Sequence, residues 1–267
     1  MKIDEQLKSE VERYWNQASC GTEHVKKEKY SKEYFEEIET HRYTTEPEVF
    51  SFAQFTRYHG AKILEVGIGA GTDFLQWVKA GAKAYGVDLT QEAIDNVQHR
   101  LDLYELKAEM IQKADAEKLP FDTNTFDLVY SWGVIHHSPN TKKCIDEIIR
   151  VTRPGGTIKV MVYKRQSLVV LYRYLKTALF KGKPFRSFSN VLFYDVESLG
   201  TKGYTFKEVR AMVANQPVEI VEIKATVTSH DRLKVKSKFH RFLAYVAACL
   251  FGWNRCGFYM TVELEKI

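Results

Sequence analysis

The stretch ILEVGIGAGTD, residues 63–73, constrains the fold of this 267-residue chain more than any other. Ile63, Leu64 and Val66 suit a buried strand, yet the run stops at Glu65 and then places Gly67, Gly69 and Gly71 in quick succession. Glycine loses backbone entropy on folding and packs nothing. Three of them make sense only where the backbone turns sharply and something approaches it closely. With a helix reading over Thr72 to Lys79, the segment opens a strand–turn–helix unit.

The same alternation continues along the chain. AKAYGVDL reads as a second strand, Gln91–Leu103 as a helix, EMIQKAD as a third strand and FDLVYSWG as a fourth. TKKCIDEIIRVT is a helix stopped by Pro154, Gly155 and Gly156, and GTIKVMVY is a fifth strand. Apolar strands in this rhythm predict an α/β fold, a Rossmann-like doubly wound parallel sheet with helices on both faces. Residues 1–60 read as helical and charged. The last third breaks the rhythm, with an inserted helix in QSLVVLYRYLKTALF and a helix in TFKEVRAMVAN that leads into VEIVEIKATV. KFHRFLAYVAACLFGW is a further helix, and GFYMTVELE closes as an alternating strand that, after so long a connection, enters the sheet antiparallel.

A hydrophobic share of 45% with interspersed charge excludes a disordered chain. Cys20, Cys144, Cys249 and Cys256 are scattered without a CxxC pair, so neither a zinc ribbon nor a disulfide framework is expected, and no metal. MKIDEQLKSEVERYW lacks the apolar core of a signal peptide, and no apolar run reaches the roughly 18 residues of a membrane span. The expectation is a soluble, cytoplasmic protein. Charge is unevenly spread: residues 1–160 carry 21 Lys and Arg against 26 Asp and Glu, residues 161–267 carry 18 against 8. A basic C-terminal half points to an anionic substrate or surface near it.

Asp88 ends the second strand, 17 residues after Gly71, where a carboxylate can accept both hydroxyls of a ribose. The alternative is an aspartate that merely starts the next helix. A nicotinamide-binding turn would read GxGxxG and clear a pyrophosphate. This one reads ExGxGxG, and Glu65 inside it repels a pyrophosphate but tolerates a cation. In that turn the chain resembles the class I S-adenosylmethionine (SAM)-dependent methyltransferases. GVDLT, KADAEKLPF, FDLVYSWGVIHHSPN and EIIRVTRPGGTIKVMVY resemble that family's further motifs in order, over residues 55–163.

The resemblance implies a seven-stranded sheet whose last strand is antiparallel, an N-terminal helical cap over residues 1–55, and a catalytic domain over 56–267. Residues 164–204 would form a helical lid inserted after the fifth strand. It implies SAM as cofactor, held by Glu65, Gly67, Gly69, Gly71, Asp88 and Leu89, with Asp115 and Ala116 at the adenine and Ser131 on the fourth strand. Arg42 is a candidate clamp for the methionine carboxylate, or else pairs with Glu39 or Glu46 on the surface. Tyr14 and Trp15 either wall the pocket or pack in the core. His137, and after it His136, are candidates for a general base or substrate orienter, because histidine moves protons near neutral pH. The plainer alternative has a histidine capping the helix at Thr141 or bonding backbone.

The absence of (D/N)PP(Y/F) and of a Pro-Cys nucleophile argues against nucleic-acid bases as acceptors. A small organic acceptor methylated on O or N is expected, aromatic, isoprenoid or lipid-like. The alternative is an RNA-modifying enzyme using the basic half, though no RNA-recognition module is present. Phe239, Phe242, Leu243, Val246, Leu250 and Phe251, near Lys234, Lys236, Lys238 and Arg241, form one amphipathic pattern. Leu168, Leu171, Tyr172, Leu175 and Leu179, near Arg173, Lys176, Lys181 and Lys183, form another. Either both pack as core with a solvated basic face, or they give peripheral membrane or lipid contact.

Overall fold

The computed structural model describes residues 2–232 and 238–267. The strands are β1 Lys62–Val66, β2 Lys83–Asp88, β3 Met110–Lys113, β4 Phe126–Trp132, β5 Thr152–Tyr163, β6 Val218–Thr226 and β7 Tyr259–Lys266. They form one sheet in the order β3-β2-β1-β4-β5-β7-β6. The first five pair in parallel, and β7 inserts antiparallel between β5 and β6. The expected seven-stranded sheet with its reversed last strand is therefore what the chain builds.

The two-residue period of the strands divides the core. Ile63 of β1, Leu128 of β4 and Met161 of β5 pack on one face, beneath helices α3 (Glu48–Ala53), α4 (Thr72–Lys79) and α5 (Gln91–Leu103). Leu64, Val129 and Val160 pack on the other, beneath α6 (Thr141–Val151) and α9 (Phe206–Val213). Because both faces are covered, these strands are apolar almost throughout. The order of strands reverses between β1 and β4. In open α/β sheets the carboxyl ends of the strands beside such a reversal form the crevice that binds ligands.

Two additions crowd that end of the sheet. At the N-terminus, α1 (Lys2–Gln17) and α2 (Lys32–Thr45) precede α3. Lys8 on α1 reaches Asp115 at 2.6 Å and Glu117 at 3.1 Å, while Glu12 meets Lys113 at 2.5 Å. After β5, α7 (Leu168–Thr177) and α8 (Phe188–Asp195) pack on each other, and Arg186 and Thr177 both hold Asp195.

Core packing does not account for either amphipathic pattern. On α7 the buried residue is Val170 whereas Leu171 is exposed, as is Leu179 in the short turn that follows the helix. On α10 (Lys238–Phe251) the small side chains Ala244 and Ala248 are buried, and Phe242, Leu243, Leu250 and Phe251 face outward. Lys234 and Lys236, and the side chain of Phe239, lie outside the described residues. Among the described residues no helix is long and apolar enough to cross a membrane.

Candidate functional site

A cavity of about 340 Å³ opens at the carboxyl ends of β1, β2 and β4. The glycine turn forms one wall, and its glycines serve different ends. Gly67 has φ +85°, and a methyl group there would lie 2.2 Å from Val134 Cγ2, so the loop after β4 requires a bare backbone. Gly69 also has positive φ, but a methyl group would meet no protein atom within 4 Å, and Gly69 lines the cavity. The first glycine admits the protein's own side chain, and the second leaves room for a ligand.

Asp88 stands beside the turn. Its carboxylate accepts from the Gly69 amide at 3.1 Å, the Thr90 amide at 3.0 Å and the Thr90 hydroxyl at 2.8 Å. Burial pushes its pKa up, and those hydrogen bonds offset part of the rise. Glu65 lies deeper and accepts from Trp77 Nε1 at 2.8 Å. Burial, with Asp73 nearby, pushes the pKa of the Glu65 carboxyl well up, a rise that a bound cation would offset. Leu89, Asp115 and Ala116 also line the cavity, and the Asp115 carboxylate is engaged by Lys8 and by the Glu117 amide.

Arg42 is a cavity residue rather than a surface one. Its guanidinium bridges Asp73, at 2.6 Å, and Glu46, while Glu39 pairs instead with Arg100. Tyr130 donates to the same Asp73 at 3.1 Å. Glu46 is the hub of the far end: Trp132 Nε1 donates to it at 2.8 Å and Tyr259 at 3.1 Å, and His230 Nε2 lies 3.4 Å away. Burial alone would raise its pKa, but Arg42, His230 and Trp132 outweigh it and bring the carboxyl down to about 2.

His137 lines the cavity and is almost fully buried. Its Nδ1 lies 2.9 Å from Ser198 Oγ and 3.1 Å from Thr201 Oγ1. The Thr201 hydroxyl donates its one proton to the Ser198 carbonyl at 2.7 Å, so toward His137 it acts as acceptor. Nδ1 thus faces two hydroxyls, and Nε2 faces the other way. That Nε2 is 3.2 Å from Glu197 Oε2, and Glu197 also accepts the Tyr163 hydroxyl at 2.8 Å. Trp15 on α1 packs edge-on to the His137 ring, with centroids 5.4 Å apart, and lines the cavity; Tyr14 is exposed.

Three expected residues stand off the cavity wall: Gly71, where a methyl group would lie 2.9 Å from Val97 Cγ2 of α5, Ser131 and His136. Ser131 is buried and donates to the Val66 carbonyl at 2.9 Å, tying β4 to β1. His136 is fully buried against Tyr163, and neither ring nitrogen has a hydrogen-bond partner among the described residues. Burial, with His137 and Lys202 close by, holds His136 well below its ordinary pKa and so neutral. Neither histidine caps the helix at Thr141, because the Asn140 side chain does so by accepting the Lys143 amide.

Sequence reasoning missed Glu197, His230 and Tyr259, and named Glu46 only as a surface partner of Arg42. Only the backbone of Glu197 marks it as unusual, with φ +55° for a non-glycine residue, and such strain collects at functional sites. No local pattern in the sequence announces it.

Residues 64–160 match the family described as "Methyltransferase domain". Phthiotriol/phenolphthiotriol dimycocerosates methyltransferase of Mycobacterium leprae is 37% identical over 99 residues, 36% of each chain. Malonyl-[acyl-carrier protein] O-methyltransferase of Erwinia billingiae is 32% identical over 123 residues, 45% of each. In both, the match spans less than half of the relative's own length. Geranyl diphosphate C-methyltransferase of Streptomyces coelicolor, solved with S-adenosyl-L-homocysteine, shares the fold over 98% of both chains. Its TM-score is 0.63 and its identity 13%.

Proposed function

We propose that the chain, whose residues 64–160 match a methyltransferase domain, is a class I SAM-dependent enzyme that methylates O or N of a small organic acceptor. SAM, when bound, supplies a methyl group activated on a sulfonium, which leaves as a neutral thioether. The residues present fit such a cation. Carboxylates Glu65, Asp73, Asp88, Glu46 and Glu197 and the rings of Trp15, Trp132 and Tyr163 line one cavity.

Within it, Asp88 and Leu89 hold the ribose, Asp115 and Ala116 the adenine, and Gly67, Gly69 and Gly71 shape the turn that faces both. Glu65 and Asp73 receive the ammonium of the methionine moiety, and Arg42 closes that end from α2. Residues 1–55 act as a cap, and residues 164–204 as a lid that delivers Glu197. His137 accepts a proton from the acceptor hydroxyl or ammonium at Nε2, and Glu197 stabilises the imidazolium that forms. The observation that carries this reading is His137, its Nε2 3.2 Å from Glu197 Oε2, in the same cavity as the glycine turn and Asp88.

The relative named for phthiotriol and phenolphthiotriol dimycocerosates supports a lipid-like acceptor, as do the outward-facing apolar side chains of α10 and of the lid. Calorimetric titration tests the cofactor assignment. SAM is expected to bind the wild type and, at least about tenfold more weakly, Asp88→Ala. Equal binding by the two removes Asp88 from the ribose site.

A further inference from the structure

An ordinary surface helix turns its large apolar side chains inward. α10 does the reverse: Ala244 and Ala248 face the protein, where Ala248 joins Val227 and Cys256 in a small cluster. Phe242, Leu250 and Phe251 are 61%, 72% and 66% exposed. Contiguous large apolar side chains on a surface mark an interaction site. The chain around them fixes the sign of the partner. Residues 232–258 contain six Lys and Arg and no Asp or Glu.

The lid repeats the signature independently. Residues 165–194 also hold six Lys and Arg and no acidic residue, and they expose Phe180 and Phe185 almost completely. Both segments are joined in the chain to residues of the Glu46–Glu197 end of the cavity. The lid delivers Glu197, and α10 lies between His230 and Tyr259 in the chain, both of which line the cavity.

We propose that the outer face of α10, aided by the lid, docks on an anionic membrane and brings the acceptor end of the cavity to the lipid surface. Aromatic and leucine side chains enter the boundary between headgroups and acyl chains, and the surrounding Lys and Arg meet anionic headgroups. The inference rests on the proposed methyl transfer to a lipid-like acceptor, and it names where that acceptor is met.

Vesicle flotation tests it. The full chain should float with vesicles containing phosphatidylglycerol, remain behind with vesicles of phosphatidylcholine alone, and be released by added salt. Phe242→Ser combined with Phe251→Ser should lower binding at least about tenfold, with SAM affinity unchanged because neither residue touches the cavity. Wild-type protein that ignores phosphatidylglycerol, or a double variant that binds as well as wild type, overturns the proposal. So does a double variant that turns a dimer into a monomer without affecting flotation, since the face then belongs to a second copy. Wild-type protein that floats but binds no SAM supports docking and refutes the methyltransferase reading alone.

Discussion

The two ends of the cavity are made in different ways. The end at the glycine turn is built from contiguous chain: β1, its turn, α4 and the last residue of β2 lie within residues 62–88. The far end is assembled from pieces remote in sequence. Glu46 follows α2, His137 follows β4, Glu197 follows α8, and His230 follows β6. One end is specified by local backbone chemistry. The other depends on several long-range placements holding together, which leaves it free to vary with the acceptor while the turn stays the same.

The largest effect should come at the far end. His137→Ala or Glu197→Gln is expected to lower turnover by about 10²–10⁴-fold with SAM affinity little changed, measured as single-turnover methyl transfer beside calorimetry. Combining the two should cost far less than the sum of their separate effects, because they serve one proton transfer. If Glu197→Gln keeps full activity across pH while His137→Ala loses it, Glu197 is structural and the pairing is wrong.

At the turn, the loss should appear as stability. Gly67→Ala places a methyl group against Val134 at positive φ, and should destabilise the fold by roughly 2–4 kcal/mol in denaturant unfolding. Gly69→Ala, equally left-handed but facing open space, should cost only about 1 kcal/mol and show instead as weaker SAM binding. Equal losses at the two positions would erase the distinction between a glycine that admits Val134 and one that admits a ligand.

The smallest and most graded effect is with pH. Glu46 titrates at about 2 in the fold against an ordinary 4.5. A depressed carboxylate contributes stability above its unfolded pKa and loses it as pH falls through the folded value. Wild-type stability should therefore decline between about pH 4.5 and pH 2 more steeply than that of Glu46→Gln, followed by thermal unfolding. Parallel curves would mean that Arg42 and His230 do not hold Glu46 as they are placed.

The difference between the two ends also explains what the sequence disclosed. The sheet, its reversed strand and the bounds of α4 and α5 were legible because strand and helix periods are local, and so was the glycine turn with Asp88. Ser131 sits in the apolar β4 run, where sequence does not distinguish a hydroxyl that faces the cavity from one that bonds Val66 in the adjacent strand. His136 and His137 are adjacent and chemically identical, and only tertiary packing turns one into the core and the other to the cavity. Glu197 became a site residue through Tyr163 and His137, 34 and 60 residues away, and Glu46 through Trp132 and Tyr259, 86 and 213 away. The reversed burial of α10 was hidden for another reason: an apolar stripe reads the same whether it meets a core or a bilayer.

The most direct measurement uses SAM with an isotopically labelled methyl group, incubated with cell extract that is then separated into lipid, aqueous and nucleic-acid fractions. The account predicts label in the lipid fraction with wild-type protein and almost none with Glu197→Gln. Label confined to the nucleic-acid fraction, or undiminished in the variant, would contradict it.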